Sequence, residues 1–220
     1  MSTTDAIDAE EDEDEVAMTA AEVLEKLEEA WLNEKFAPEL LEAKTDLVEC
    51  MLGQITAMEE NIKQAKRGDF KVSIHRMEID RIRYILSSYL RIRLKKIEKY
   101  TAHIFEREVE RSDDENALLS PEEFAFTKEF NDSIESHFKN LALRHMPANL
   151  QTLTKAQKVI RPNLDSYVFV RVNEDAEGVL VEEETLDTGE EIVDLQKNDQ
   201  HIMRYKPLAA LISSGTVSLI

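Results

Sequence analysis

From Lys71 to Arg107 the chain runs without a single glycine or proline, and this stretch constrains the fold more than any other. Glycine and proline are the residues that punctuate a chain, so their absence predicts one continuous helix, ~55 Å long at about 1.5 Å per residue. A small half-domain does not need a rod of that length. Its apolar residues, among them Ile74, Met77, Ile79, Ile82, Ile85, Leu86, Tyr89, Leu90, Leu94, Ile97 and Ile104, occupy more than one narrow stripe. A single intramolecular contact face therefore leaves apolar surface wet, and a partner subunit is expected to cover it.

Three further helices are predicted around this rod. Thr19-Ala20-Ala21-Glu22 has the spacing of a capping box, and Val23, Leu24, Leu27, Ala30 and Trp31 follow at helical intervals until Pro38 stops the run. A second helix is expected from Thr45 or Asp46, carrying Leu47, Val48, Met51, Leu52, Ile55, Met58 and Ile62, with Lys66-Arg67-Gly68 as its C-terminal signal. After a charged loop at 106–116, Ser120-Pro121-Glu122-Glu123 gives an N-cap, a proline at the first helical position and a capping-box glutamate. That fourth helix, with Phe124, Phe126, Phe130, Ile134 and Phe138, is expected to reach about His145, ahead of Met146-Pro147.

Beyond Pro147 the pattern changes from helical spacing to short β-branched runs separated by turn residues. Strands are predicted at 167–172, 179–183, 191–196 and 201–205, with turns at 173–178, 187–189 and 197–199. A short helix from Pro207 to about Gly215 precedes an apolar end, Val217 to Ile220, expected to pair into the sheet. The fold class is therefore α+β. An acidic tail at 1–18 is expected to be disordered, a helical A domain spans 19–146, a linker spans 147–164, and a small β-rich B domain occupies 165–220. Tyr167, Phe169, Leu219 and Ile220 are its expected packing residues.

Charge restricts the partners. Lys plus Arg total 27 against 46 for Asp plus Glu, a formal net charge of −19, which repels polyanions at long range and disfavours stand-alone nucleic-acid binding. Eight acids and no basic residue fall within the first sixteen positions, a composition that does not offset the entropy of ordering. The tail reads as a solubilising leader or as a short acidic docking peptide. With one cysteine, Cys50, no intrachain disulfide forms, as suits a reducing compartment. Neither a secretory leader nor a run of ~20 apolar residues is visible, so no membrane association is expected.

Chemistry-bearing motifs are missing. Five scattered glycines assemble neither a P-loop nor a dinucleotide fingerprint, and the five histidines, His75, His103, His137, His145 and His201, lack zinc spacing. No catalytic residue, metal or cofactor is expected. Ser87-Ser88 lies inside the apolar helix and reads as small-residue packing. The one basic run, Arg81, Arg83, Arg91, Arg93, Lys95, Lys96 and Lys99, admits two readings: phosphate binding, or side chains that lie along the helix and pair with acids. A single-stranded nucleic-acid module using the β domain, with Tyr167 and Phe169 stacking on bases, is the main rival function. A carboxylate metal enzyme is the other.

Several long strings resemble one family. They are Glu29 through Leu41, Met58-Glu59-Glu60-Asn61, the block from Lys71 to Tyr100 with Arg81-Ile82-Arg83-Tyr84 and Leu86 through Arg91, then His145-Met146-Pro147, Asn149-Leu150-Gln151, Leu164 through Phe169, Arg204-Tyr205 and Leu219-Ile220. In order and over nearly the whole chain after the tail, they resemble the Sld-five family of GINS subunits. The resemblance implies a helical A domain followed by a β-rich B domain docked against neighbouring subunits. It implies a heterotetramer with three paralogous Psf subunits, joined to the MCM helicase ring and its Cdc-type co-activator in the nucleus, without an ATPase site. A trimeric replisome adaptor and DNA polymerase epsilon are implied partners through the complex, and direct DNA contact is expected to be weak or absent. By position in the family's long helix, Ile82, Ile85, Leu86, Tyr89, Leu90, Leu94 and Ile97 are the implied interface or core residues.

Overall fold

In the computed structural model, residues 18–65, 69–112, 116–151, 159–182 and 191–220 are described. The predicted acidic tail, the Lys66-Arg67-Gly68 ending and the 187–189 turn lie outside them, apart from Met18.

Among the described residues, four α-helices form the N-terminal part: α1 (Ala20–Phe36), α2 (Thr45–Gln64), α3 (Phe70–Glu110) and α4 (Pro121–Leu141). Both predicted capping boxes are present. Thr19 and Glu22 satisfy each other's backbone N–H groups at the start of α1, and Ser120 and Glu123 do the same at α4. Asp69, two residues before Lys71, caps α3 by accepting from the Lys71 N–H at 3.0 Å. The long helix is longer than predicted at both ends and runs through 106–110, where a loop was expected. Its one interruption is Tyr100, at φ −117°, ψ 24°. α4 stops at Leu141, short of the expected His145, and a 3-10 turn at Leu143–His145 follows.

α1 runs parallel to α3, so that Glu28 meets Arg81, Trp31 meets Ser88 and Glu34 meets Arg93. The core between α1, α2 and α3 is made of Val23, Leu27, Met51, Ile55, Ile79, Ile82, Ile85 and Leu86. A second cluster, Leu40, Ile97, Ile104, Leu118 and Leu119, closes the far half of α3. Ser88 is where its sequence context put it, inside the helix packing, and its hydroxyl accepts the Trp31 indole N–H at 3.0 Å.

The C-terminal part holds β1 (Tyr167–Val172), β2 (Ala176–Glu182), β3 (Glu191–Leu195), β4 (Gln200–Arg204), α5 (Tyr205–Ser214) and β5 (Val217–Leu219). β4, β1 and β5 form an antiparallel sheet in that order, and β2 pairs with β3 as a separate ribbon. β2 begins three residues earlier than expected because Gly178, at φ +72°, lets the strand bulge and continue through the predicted turn. α5 begins at Tyr205 instead of Pro207, since proline is tolerated in a first helical turn. It ends at Gly215, where the sequence placed its end, and Gly215 takes a left-handed conformation at φ +82°.

Candidate functional site

The most unusual feature of the interior is a guanidinium. Arg93 lies on the buried stripe of α3, four residues from both Tyr89 and Ile97, and its side chain is 1% exposed. Every one of its five N–H donors has an acceptor. Nε and Nη2 donate to the two carboxylate oxygens of Glu123, each at 2.7 Å, Nη1 donates to Glu34 at 3.1 Å and to the Leu41 carbonyl at 2.9 Å, and Nη2 also reaches the Leu118 carbonyl at 2.7 Å. One turn on, Lys96 Nζ donates to the other Glu34 oxygen at 2.7 Å and to the carbonyls of Glu34 and Glu39 at 2.5 and 2.7 Å. Two cations thus face two carboxylates, and all eight donors are satisfied, which is the condition under which buried charge is tolerated.

Burial works against the Arg93 charge, but the Glu123 hydrogen bonds and the surrounding negative charge outweigh it and hold its pKa above the ordinary arginine value. At Lys96 burial prevails over the attraction of Glu34, and the pKa is lowered. The network ties four places in the sequence together: the end of α1, the connection to α2, the middle of α3 and the start of α4. These bonds fix the four elements relative to one another.

The rest of the basic run divides along the helix. Arg81 pairs with Glu78 and Glu28, and Arg83 with Glu59 and Asp80. Lys99 sits over the Tyr100 ring at 4.9 Å, while Arg91 and Lys95 are exposed. Five of the seven cations thus face an acid or a ring, as the second reading of the run expected. Sequence reasoning treated these seven as one run and missed Glu34 and the second role of Glu123. The signal was there: Arg93 shares the helical face of Leu86, Tyr89 and Ile97.

The seven implied interface or core residues separate into two groups. Ile82, Ile85, Leu86, Tyr89 and Ile97 are buried against this chain's own helices, whereas Leu90 and Leu94 are 40% and 38% exposed. Leu90 and Leu94 lie one position round the helix from the buried Tyr89 and Arg93. Other apolar side chains are exposed elsewhere: Phe70, Ile74, Met77 and Tyr84 share another side of the first half of α3, and Phe138 and Leu141 lie at the end of α4.

In the B domain, Val168, Val170, Val172, Leu195, Met203, Leu208, Ile212, Val217 and Leu219 make the core, and Ile220 is half-buried. Tyr167 and Phe169 were expected to pack there, but they are 65% and 59% exposed. Strand alternation gives the reason: β1 reads exposed, buried, exposed, buried, and the valines took the inner face. Tyr167 and Phe169 instead form an open apolar face with Ile202, across which the Arg204 guanidinium lies 5.9 Å from the Tyr167 ring. The resemblance implied docking of this domain on neighbouring subunits; its inner side packs on its own chain. Ala37 and Leu41 belong to its core cluster, and Asn33, Glu29 and Glu39 bond to Leu219, Asn173 and Tyr205. A cleft of about 500 Å3 remains between the two parts, with Leu40, Leu118, Arg107 and Arg111 on one side and Ala209 and Ser213 on the other.

Among the described residues, no group of three or more His, Cys, Asp or Glu is placed to hold a metal ion. No helix among the described residues is long and apolar enough to cross a membrane.

Comparison with known proteins decides what this architecture belongs to. Residues 46–142 match the family described as the GINS complex protein helical bundle domain, and residues 162–220 match the DNA replication complex GINS protein SLD5 C-terminus. The chain is 55% identical over 213 residues to the DNA replication complex GINS protein SLD5 of Rattus norvegicus, covering 97% of this chain and 96% of the relative. The identity to the protein of the same description from Homo sapiens is 54%, with the same coverage. This chain belongs to the SLD5 family of GINS proteins. The likeness extends to plants: the Arabidopsis thaliana SLD5 protein is 34% identical over 218 residues, 94% of each chain. The two SLD5 family segments correspond to the helical and β-rich parts described above, and the buried Arg93 and Glu123 both fall within the helical one.

Proposed function

We propose that this chain is a non-catalytic structural subunit of a heterotetrameric GINS complex. It joins three paralogous Psf subunits and serves initiation and elongation of DNA replication in the nucleus as part of the MCM-containing helicase with its Cdc-type co-activator. The observation that carries this reading is the division of α3 into a closed core face and exposed apolar side chains spread over the rest of its circumference. A helix whose core side is complete, yet which still presents Phe70, Ile74, Met77, Leu90 and Leu94 to solvent, is built to be covered by another chain. The buried ion network supports the same role, because it fixes the geometry of the helices that present those side chains.

The test is a reconstituted unwinding reaction. Omitting this chain abolishes unwinding, while ATP hydrolysis by the purified four-chain complex alone stays at background; ATP turnover that survives purification and follows this chain would overturn the reading.

A second reading rests on the open sheet face. Tyr167 and Phe169, flanked by Arg171 and Arg204, supply the aromatic and cationic chemistry that single-stranded nucleic acids stack upon. The net charge of −19 opposes it. Salt-sensitive binding of a labelled oligonucleotide, lost in Phe169→Ala, supports this reading; unchanged binding, or none, removes it.

A further inference from the structure

Among the described residues, three side chains from the segment 29–39 bond the B domain to the A domain. The Asn33 carboxamide oxygen accepts the buried Leu219 N–H at 2.7 Å, the Glu39 carboxylate accepts the Tyr205 hydroxyl at 2.9 Å, and the Glu29 carboxylate accepts from Asn173 at 3.1 Å. Ala37 and Leu41, between and beyond them, enter the B-domain core. The same segment is bound from the other side by cations of α3: Glu34 by Arg93 and Lys96, the Leu41 carbonyl by Arg93, the Glu39 carbonyl by Lys96, and the second Glu39 oxygen by the half-exposed Arg107 at 3.1 Å. Adjacent residues thus face opposite ways, Asn33 toward β5 and Glu34 toward α3, and Glu39 faces both at once.

We propose that Asn33–Leu41 is a strut shared by both domains, through which the charge network of α3 sets how firmly the B domain is seated. The physical basis is that Pro38 and the irregular backbone after Phe36 supply no helical hydrogen-bond ladder of their own. The position of Glu39 therefore depends on Lys96 and Arg107 on one side and on Tyr205 on the other. Removing either set of partners lets the segment move and weakens the other set. Residues that act through one shared segment show non-additive effects, whereas independent sites add. Seating of the B domain in turn determines the width of the cleft lined by Glu39, Arg107 and Tyr205, and so the surface that the two domains jointly offer to a third chain.

Hydrogen exchange on the full chain within its complex tests this, read at the Leu219 amide, whose acceptor is Asn33, with the β1–β4 ladder amides as internal control. Lys96→Met removes three bonds to Glu34 and Glu39 without touching the B domain, and Tyr205→Phe removes the hydroxyl contact to Glu39 without touching the network. Lys96→Met is expected to speed Leu219 exchange at least tenfold while the β1–β4 amides keep their rates. The double variant is expected to depart by more than twofold from the product of the two single effects. Leu219 exchange unchanged in Lys96→Met, or a double variant that equals the product within twofold, overturns the proposal. Should Lys96→Met not fold, Arg107→Met, whose side chain is half exposed, replaces it under the same criteria.

Discussion

Replacing Arg93 with methionine tests the helical architecture most severely. Methionine keeps most of the volume and deletes five donors. It leaves the Glu34 carboxylate, 1% exposed, with Lys96 as its one cationic partner, strips Glu123 of its cationic partner, and leaves the Leu41 and Leu118 carbonyls without the guanidinium they faced. Breaking a buried pair by removing one member costs about 3–5 kcal/mol. That is a large part of the ~5–15 kcal/mol that holds a typical domain together. At roughly 2–4 °C per kcal/mol for a chain of this size, the melting temperature is expected to fall by about 6–20 °C. The assay is thermal melting of the coexpressed complex, followed by circular dichroism. Arg83→Met serves as the control, since it removes a surface pair with Glu59 and is expected to cost less than about 1 kcal/mol. Replacing the whole network at once, with Glu34→Leu, Arg93→Met, Lys96→Met and Glu123→Gln, is expected to recover most of the loss. That combination leaves no unpaired charge, and glutamine still completes the capping box. If Arg93→Met melts within 2 °C of the parent, the buried network does not hold these helices.

Other outcomes follow from the same contacts. Leu86→Asp places a charge in the core and is expected to abolish soluble expression. Leu90→Asp, at one of the exposed apolar positions, is expected to leave the helical circular-dichroism signal intact while at least tenfold less of the partner chains copurifies. His103 is held below the ordinary histidine pKa by burial, with Arg161 and Arg107 adding repulsion. Its folded form therefore binds protons less readily than the unfolded chain, so its contribution to stability is present above pH ~6.5 and is lost as pH falls below that value. His103→Gln is expected to flatten the stability profile between about pH 7 and 5.5 in urea titrations, whereas an unchanged slope contradicts the assignment. Ser120→Ala removes the acceptor for the Glu123 N–H and is expected to lower stability by about 1 kcal/mol in the same titrations.

Much of this fold was legible because its signals are local. The capping boxes at Thr19 and Ser120, the stop at Pro38, the glycine-free rod and the helix end at Gly215 each act within a few residues, and each stands in the structure where the sequence put it. What was not legible depends on which face wins. Tyr167 and Phe169 carry more apolar surface than Val168 and Val170, yet the valines face inward because the inner side of β1 must fit closely against α5 and β5. The same applies to Arg93: composition placed it with six other cations, and only its register with Tyr89 and Ile97 assigned it to the core. Glu34 looked like one surface acid among many, since its partners are about sixty residues away in sequence. Pairings at such separation leave no periodic trace.

The exposed apolar side chains of α3 are the feature on which the functional account rests, and the mass of the native particle purified through this chain measures their consequence. One copy of this chain with one copy each of three partner subunits is the expected composition, falling apart when Leu90 becomes aspartate. A monodisperse, folded monomer, with Phe70, Met77, Leu90 and Leu94 stably exposed to water, contradicts the account.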